Sequence, residues 1–302
     1  MASLSNWIPI EWDSAVITKV NQRSAVEAFG KGYEMGSDTK RVLRSLGMTV
    51  GTGGTYSADN STNDYVLLDT VKFTGQFIVD EDDLSDADSV VNTMKVKSAD
   101  WATSYAVKFD NSCLAVTATS ANGTTVPFVS AYAAVRANDS AVGYTADANY
   151  VNYNGTASGA YDALSSALAL VENGLYWDPS SSLVIASPAF RDVLRRTKDS
   201  DGMPVFIQGI AGTPDTLFGV PIAWSVGART SATATEAPSG NPLLVFVGNA
   251  DALMRGDRMG PEALIDVARA QDSTDTTALK LRVRKAFALA NVLGVSVLEK
   301  TS

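Results

Sequence analysis

Apolar and polar positions along the chain follow two periods, and each period marks a different kind of element. From Ser85 to Val116, apolar side chains recur at Ala87, Val90, Val91, Met94, Trp101, Ala102, Tyr105, Phe109, Cys113 and Val116, with Ser98 filling the gap. That spacing predicts one amphipathic helix of about 30 residues, about 45 Å long at 1.5 Å per residue. Ser85 and Asp88 have capping-box spacing, and the run Asp80-Glu81-Asp82-Asp83 just upstream suits the positive end of the helix dipole. A second helix is predicted over Ala160–Glu172, with Tyr161, Leu164, Leu168 and Val171 on one face and Asn173-Gly174 ending it. A third helical spacing, Ser14 to Phe29, uses Val16, Ile17, Val20, Ala25, Val26 and Phe29, and Gly30 closes it.

Elsewhere the period is two. Between Gly47 and Asp83, Val66, Leu68, Thr70 and Lys72 alternate with Leu67, Asp69, Val71 and Phe73, and Gln76 to Val79 continue the extended pattern. With Gly51-Thr52-Gly53-Gly54 and the polar stretch Ser57 to Asp64, this range reads as a long two-stranded hairpin with a flexible tip. The glycines are no phosphate loop, because GxxxxGK[ST] is absent. Leu279 to Arg284 alternate strictly, with basic residues on one face, and a last apolar stretch runs from Val292 to Leu298. Leu183-Val184-Ile185-Ala186 ends at Ser187-Pro188, which predicts a serine cap, a proline in the first turn and a helix over Ala189–Lys198. A Gly202-Met203-Pro204 turn follows, then apolar runs at Leu217–Ile222 and Leu243–Gly248. Thr117 to Thr156, rich in Ala, Ser, Thr, Asn and Gly, stays unassigned. Strands and helices mixed in this order give an α+β fold.

Composition narrows the chemistry. With 302 residues, 45% of them hydrophobic and mean hydropathy +0.02, the chain is long enough for a large core or two. No apolar run approaches the roughly 20 residues of a membrane span, and Met1 to Trp12 lack the features of a signal peptide, so a cytoplasmic origin without membrane partner is expected. The single cysteine, Cys113, forms no internal disulfide and reads as a buried, inert thiol. There is no histidine, which excludes Ser-His-Asp, Cys-His and zinc-histidine chemistry. Carboxylate or lysine catalysis stays open, although no pair of acids has suggestive spacing. The acidic run lacks calcium-loop spacing, so neither a metal nor a cofactor is expected. A net charge of -9 speaks against gripping nucleic acid along the whole surface. Residues 61–120 hold ten acidic and four basic residues, whereas 181–302 hold twelve and thirteen. Such asymmetry fits opposite-sign surfaces meeting between copies, or simply solvated groups. Trp7-Ile8-Pro9-Ile10-Glu11-Trp12 is too proline-broken for a regular helix and reads as an extended arm, to be covered by its own domain or by a neighbour.

Four stretches, SPAFRDVLRRTKDSDGMPVF at 187–206, LFGVP at 217–221, LVFVGNADALM at 244–254 and LRVRKAFALANVLGVSVLE at 281–299, follow the long hairpin and the long helix in that order. Together they resemble the major capsid proteins of tailed double-stranded DNA bacteriophages with the HK97-type fold. The resemblance implies an N-terminal arm (1–45), an E-loop hairpin (46–83), a spine helix with P domain (84–226), an A domain (227–290) and a C-terminal return strand to the P domain (291–302). It implies a structural protein, without enzymatic activity, that assembles as hexamers and pentamers into an icosahedral head around double-stranded DNA bound without sequence specificity. A scaffolding protein, a portal and a decoration protein are the implied partners, with assembly in the host bacterial cytoplasm and final location in the virion. Many family members carry a removable N-terminal scaffolding segment; this chain begins almost at the arm, so a separate scaffold or prior processing is expected. Contacts between subunits are expected from Trp7, Ile8, Trp12, Gly53, Gly54, Tyr56, Lys72, Asp82, Asp83 and Arg195. Arg282, Arg284 and Lys285 are expected to meet DNA, a neighbour's acids or solvent. Some family shells form lysine-asparagine crosslinks, for which Lys72 and Asn291 are candidates. An encapsulin-type compartment shares the fold, but the long arm and full hairpin favour the phage shell. A carboxylate-dependent enzyme is the alternative from another class, and needs two converging acids.

Overall fold

Two sheets and one long helix organise the chain in the computed structural model, which describes residues 23–45, 50, 52–54, 64–80, 87–155, 159–209, 213–266 and 276–301. In chain order the strands are β1 (Lys31–Glu34), β2 (Thr39–Arg44), β3 (Asp64–Asp80), β4 (Tyr150–Tyr153), β5 (Leu183–Ala186), β6 (Phe206–Ile207), β7 (Thr216–Leu217), β8 (Val220–Trp224), β9 (Leu243–Val247), β10 (Leu253–Asp266), β11 (Thr276–Leu289) and β12 (Val295–Lys300). The helices are α1 (Ala25–Phe29), α2 (Ala87–Leu114), α3 (Ala131–Val135), α4 (Ala160–Glu172) and α5 (Arg191–Arg196).

The first sheet has the order β1-β10-β11-β3-β2, antiparallel except between β1 and β10. The hairpin is present, but its outgoing strand is β2, which precedes the Gly47–Asp83 range in which two strands were expected. The alternation in β3 is real and serves two cores. Leu68 packs on one face with Met35, Met254 and Ala286, whereas Phe73 packs on the other against Tyr105, Phe109 and Phe128. β1 and β2 are neighbours in sequence yet lie at opposite edges of this sheet. The link between them, Met35 to Asp38, therefore crosses the face away from α2: Met35 lies over Gly256, and the Asp38 carbonyl accepts from Thr70 N at 2.9 Å.

The second sheet has the order β4-β12-β9-β5-β8-β7-β6. Its central strands β5 and β9 are buried along their whole length, as their continuous apolar runs require, and α4 covers one face through Leu164, Ala167, Leu168 and Val171. Leu217–Ile222 is not one strand. Phe218 (φ 51°) and Gly219 (φ 84°) both have positive φ and make a tight turn between β7 and β8, a conformation that suits glycine at the second position.

The long helix exists as α2, 28 residues within the expected span. Its stripe is only part of the account: Ala102 is exposed, while Tyr105, Ala106, Val107, Phe109, Asp110, Asn111, Ser112, Cys113 and Leu114 are all buried. The last turns are thus enclosed on every side. The Ser187-Pro188 junction also differs from expectation. Pro188–Phe190 form a 3-10 turn, and α5 stops at Arg196. The Ser187 side chain makes no cap bond; its backbone carbonyl accepts from Phe190 N at 2.9 Å. The expected capping box at Ser85 lies outside the described residues.

Candidate functional site

For a chain with no histidine the surfaces that meet other molecules are the natural site, and buried polar groups set their geometry. Asp110, fully buried on α2, accepts from Ser24 Oγ (2.5 Å), Ala25 N (2.9 Å), Val26 N (3.2 Å) and Ser225 Oγ (2.6 Å). One carboxylate thus joins the first turn of α1, the long helix and the loop after β8. Burial pushes its pKa up, against the pull of the bonds from Ser225, Ser24, Ala25 and Val26. Next to it, the Asn111 amide donates to the carbonyls of Gly227 (3.0 Å) and Arg229 (2.9 Å), and its Oδ1 accepts from Ser231 Oγ at 2.8 Å. The start of α1 is thereby fixed beside α2.

A second network lies between α1 and the first sheet. Lys285, 8% exposed, reaches Asp257 Oδ1 (2.6 Å) and Glu27 Oε1 (3.2 Å), and Tyr105 Oη donates to Glu27 Oε1 (2.9 Å). Burial, then the Glu27 carboxylate, pushes the Tyr105 phenol up. Of the three basic residues singled out near the C-terminus, Lys285 is thus occupied inside the fold. Arg284 and Arg282 are half-exposed and pair with Asp38 (3.3 Å) and Glu262 (3.0 Å).

The hairpin base is fixed at two points. Trp101 lies against Gly75 so closely that a Cβ there would come within 2.3 Å of Trp101 Cδ1, so only glycine fits. Arg44 binds Asp64, Asp139 Oδ2 (3.2 Å) and the Ala290 carbonyl (3.3 Å), and holds the Asp64 carboxyl below its ordinary range. Beyond these anchors an apolar surface stays open. Leu43, Tyr65 and Leu67 share one face through the register Leu43↔Tyr65 and Arg41↔Leu67, are 79%, 46% and 43% exposed, and Arg41 stacks 4.6 Å from the Tyr65 ring centre. A groove of about 280 Å³ runs beside them past Val129 and Leu289.

Near the C-terminus, Glu299 is buried in β12 and accepts from Tyr132 Oη (2.9 Å), Tyr150 Oη (2.6 Å) and Asn241 Nδ2 (2.6 Å). Burial, then Glu299, pushes both phenols up.

Of the residues expected to contact other subunits, Gly53, Gly54, Lys72 and Arg195 are described and all four are exposed. They are not brought together: the glycines belong to the tip segment, Lys72 to β3 and Arg195 to the last turn of α5. Trp7, Ile8, Trp12, Tyr56, Asp82 and Asp83 lie outside the described residues. Asn291 is buried and caps a 3-10 turn, its Oδ1 accepting from Leu293 N at 2.9 Å, while its Nδ2 has no hydrogen-bond partner among the described residues. Cys113 is buried and desolvation pushes its thiol well up, as an inert cysteine requires. Among the described residues, no three Cys, Asp or Glu side chains gather as metal ligands do, and no helix is long and apolar enough to cross a membrane. Arg44, Asp110, Asn111 and Gly75 escaped the sequence reading; Glu299 carried a signal, as the acid directly after the Val292–Leu298 stretch.

The phage capsid family matches residues 5–299. The chain belongs to that family. No curated protein sequence matches it. Solved structures similar to this capsid protein include one titled Mycobacterium phage Bobi (16% identity, TM-score 0.68) and one titled Microbacterium phage Oxtober96 (14%, 0.66). Another is the capsid of an empty GTA particle (13%, 0.65). Each alignment covers 99% of this chain and 97% of the other. At such identity the likeness speaks for the fold, and the expected α+β HK97-type fold is borne out. With the family match it makes the chain a structural major capsid protein of the tailed-phage kind, and the enzyme and encapsulin readings are not favoured.

Proposed function

We propose that copies of this chain assemble as hexamers and pentamers into an icosahedral head around double-stranded DNA, without catalytic activity. The observation that carries the reading is the family match over 5–299 on a chain whose hairpin base leaves Leu43, Tyr65 and Leu67 open. Apolar surface of that kind calls for a partner, and in a shell the partner is the next subunit. The hairpin tip (Gly53, Gly54, Tyr56) and the N-terminal segment (Trp7, Ile8, Trp12) would complete these contacts, with Arg195 on a separate surface. In this reading arm, hairpin, spine helix with P domain, and A domain divide the chain as the family does. A scaffolding protein and a portal direct assembly in the bacterial cytoplasm, and a decoration protein binds the finished head. DNA is enclosed rather than gripped, in keeping with the net charge of -9. Expression of the full chain, alone and with a scaffolding protein, followed by sedimentation and electron microscopy, should give capsomers or closed particles. A stable monomer in both cases would overturn the proposal.

A further inference from the structure

The hairpin leaves the first sheet at one point. Pairing of β3 with β11 ends at Thr70, opposite Ala286, while Asp64 to Asp69 pair only with β2. A two-stranded ribbon is marginal by itself and twists more than a wider sheet, so side chains must set its angle to the body. Near the departure point Leu68 packs with Met35, Met254 and Ala286. Arg44 acts farther out. It stands opposite Asp64, six positions from Thr70, or about 20 Å along the strand at 3.3 Å per residue. From there its guanidinium crosses to the body, where Nη1 donates to Asp139 Oδ2 (3.2 Å) and to the Ala290 carbonyl (3.3 Å). Both are fixed posts. Asp139 and Tyr144 exchange backbone bonds of 3.1 and 2.9 Å, Asp139 Oδ1 accepts from Ala141 N (3.1 Å), and Ala290 N donates to the Ala252 carbonyl (2.8 Å). The Arg44 side chain is 14% exposed, and its Nε is buried without a partner among the described residues. A partly buried ion pair with one orphaned N–H adds little net stability, which leaves geometry as its role.

We propose that Arg44 is a positioning residue that holds the hairpin at one angle to the body and so presets the face that meets the next subunit, an inference that rests on the shell reading above. Register puts Val42, Arg44, Asp64, Val66 and Leu68 on one face of the ribbon and Leu43, Tyr65 and Leu67 on the other. The clamp on the first face therefore turns the second outward, and that second face is the open apolar surface. A hairpin already ordered in the posture in which it binds avoids an ordering cost at each contact. Arginine suits this task and lysine does not: one nitrogen of the planar fork reaches Asp64 while another serves Asp139 and Ala290.

The test uses the full chain with whatever scaffold its assembly needs. Arg44→Gln removes the clamp, and Asp139→Asn removes its post while keeping the Oδ1 that accepts from Ala141 N. Each should raise the protein concentration needed for assembly about ten-fold while the urea midpoint of the unassembled subunit stays unchanged, and Arg44→Lys should fall between. The angle itself is read on unassembled subunits spin-labelled at Leu43→Cys, on the hairpin, and Ser166→Cys, on α4. Both sites are exposed, and Cys113 is buried. With Arg44 present the labels should give one narrow distance distribution, and with Arg44→Gln or Asp139→Asn a broad or shifted one. Variants that assemble at the wild-type concentration overturn the inference while leaving the shell reading intact. So does an assembly defect with an unchanged narrow distribution, or one that tracks a fall in the urea midpoint. Failure of the wild type itself to assemble counts against the shell reading instead, and the label distances then still decide whether Arg44 sets the angle.

Discussion

Asp110 is a carboxylate shut off from water, with four donors around it. Its pKa is raised from the ordinary 3.8, chiefly by burial. The folded chain then binds this proton more tightly than the unfolded one, so the contribution of Asp110 to stability is full below the ordinary value and falls as pH rises through the raised one. Asp110→Asn preserves the shape but turns an amide toward hydroxyl and backbone donors, at an expected cost of about 1–3 kcal/mol. Urea unfolding at a series of pH values should show this cost largest near pH 4 (about the ordinary carboxylate value) and shrinking as pH rises. A cost that grows with pH would mean that the four donors outweigh desolvation. No local pattern could have exposed this residue. Its partners Ser24 and Ser225 lie 86 and 115 positions away, and a helical stripe counts apolar side chains only. Cys113, by contrast, was legible because burial of a lone thiol follows from its place on that stripe.

At the scale of elements, α2 and β3 meet through Trp101 on Gly75 and through the Phe73, Tyr105 and Phe109 rings, 5.5–6.0 Å apart. Gly75→Ala should destabilise the protein by about 1–3 kcal/mol through overpacking. In a Trp101→Ala background the same change should be close to neutral, since the opposing ring is gone. Equal penalties in both backgrounds would place the cause in the strand itself rather than in its docking on the helix. Strong periods made α2, α4 and β11 readable. β10 was missed because Gly256, Gly260 and Pro261 interrupt its pattern. Gly260 and Pro261 survive in a strand because a register shift falls between Met259 and Glu262, where the ladder is already irregular, and Gly256 leaves room for Met35 packed over it. The outgoing strand of the hairpin was misplaced for a related reason: Thr-Lys-Arg-Val-Leu-Arg carries little apolar alternation at a sheet edge, and three cations there suit an exposed edge.

For the whole molecule, order of the stretches did what single motifs could not: a strand, turn and helix at 183–196 is common, but after a long hairpin and a 28-residue helix it narrows to one fold. The partition of sheets stayed hidden, because β10 and β11 return to β3 across some 200 positions. Burial predicts where the molecule opens last. Amide exchange should be slowest in β5, β9 and the Tyr105–Leu114 turns and much faster in the edge strand β2. Uniform protection would contradict this ranking. The Met35–Asp38 link adds a constraint in time. It lies on a platform formed by β10, β11 and β3, so a nascent chain lays it down only after Leu289 has left the ribosome. Until then the first sheet is incomplete and the base of the hairpin has no fixed posture. In the assembly proposed above, a subunit built this way would complete its first sheet only when synthesis is essentially finished.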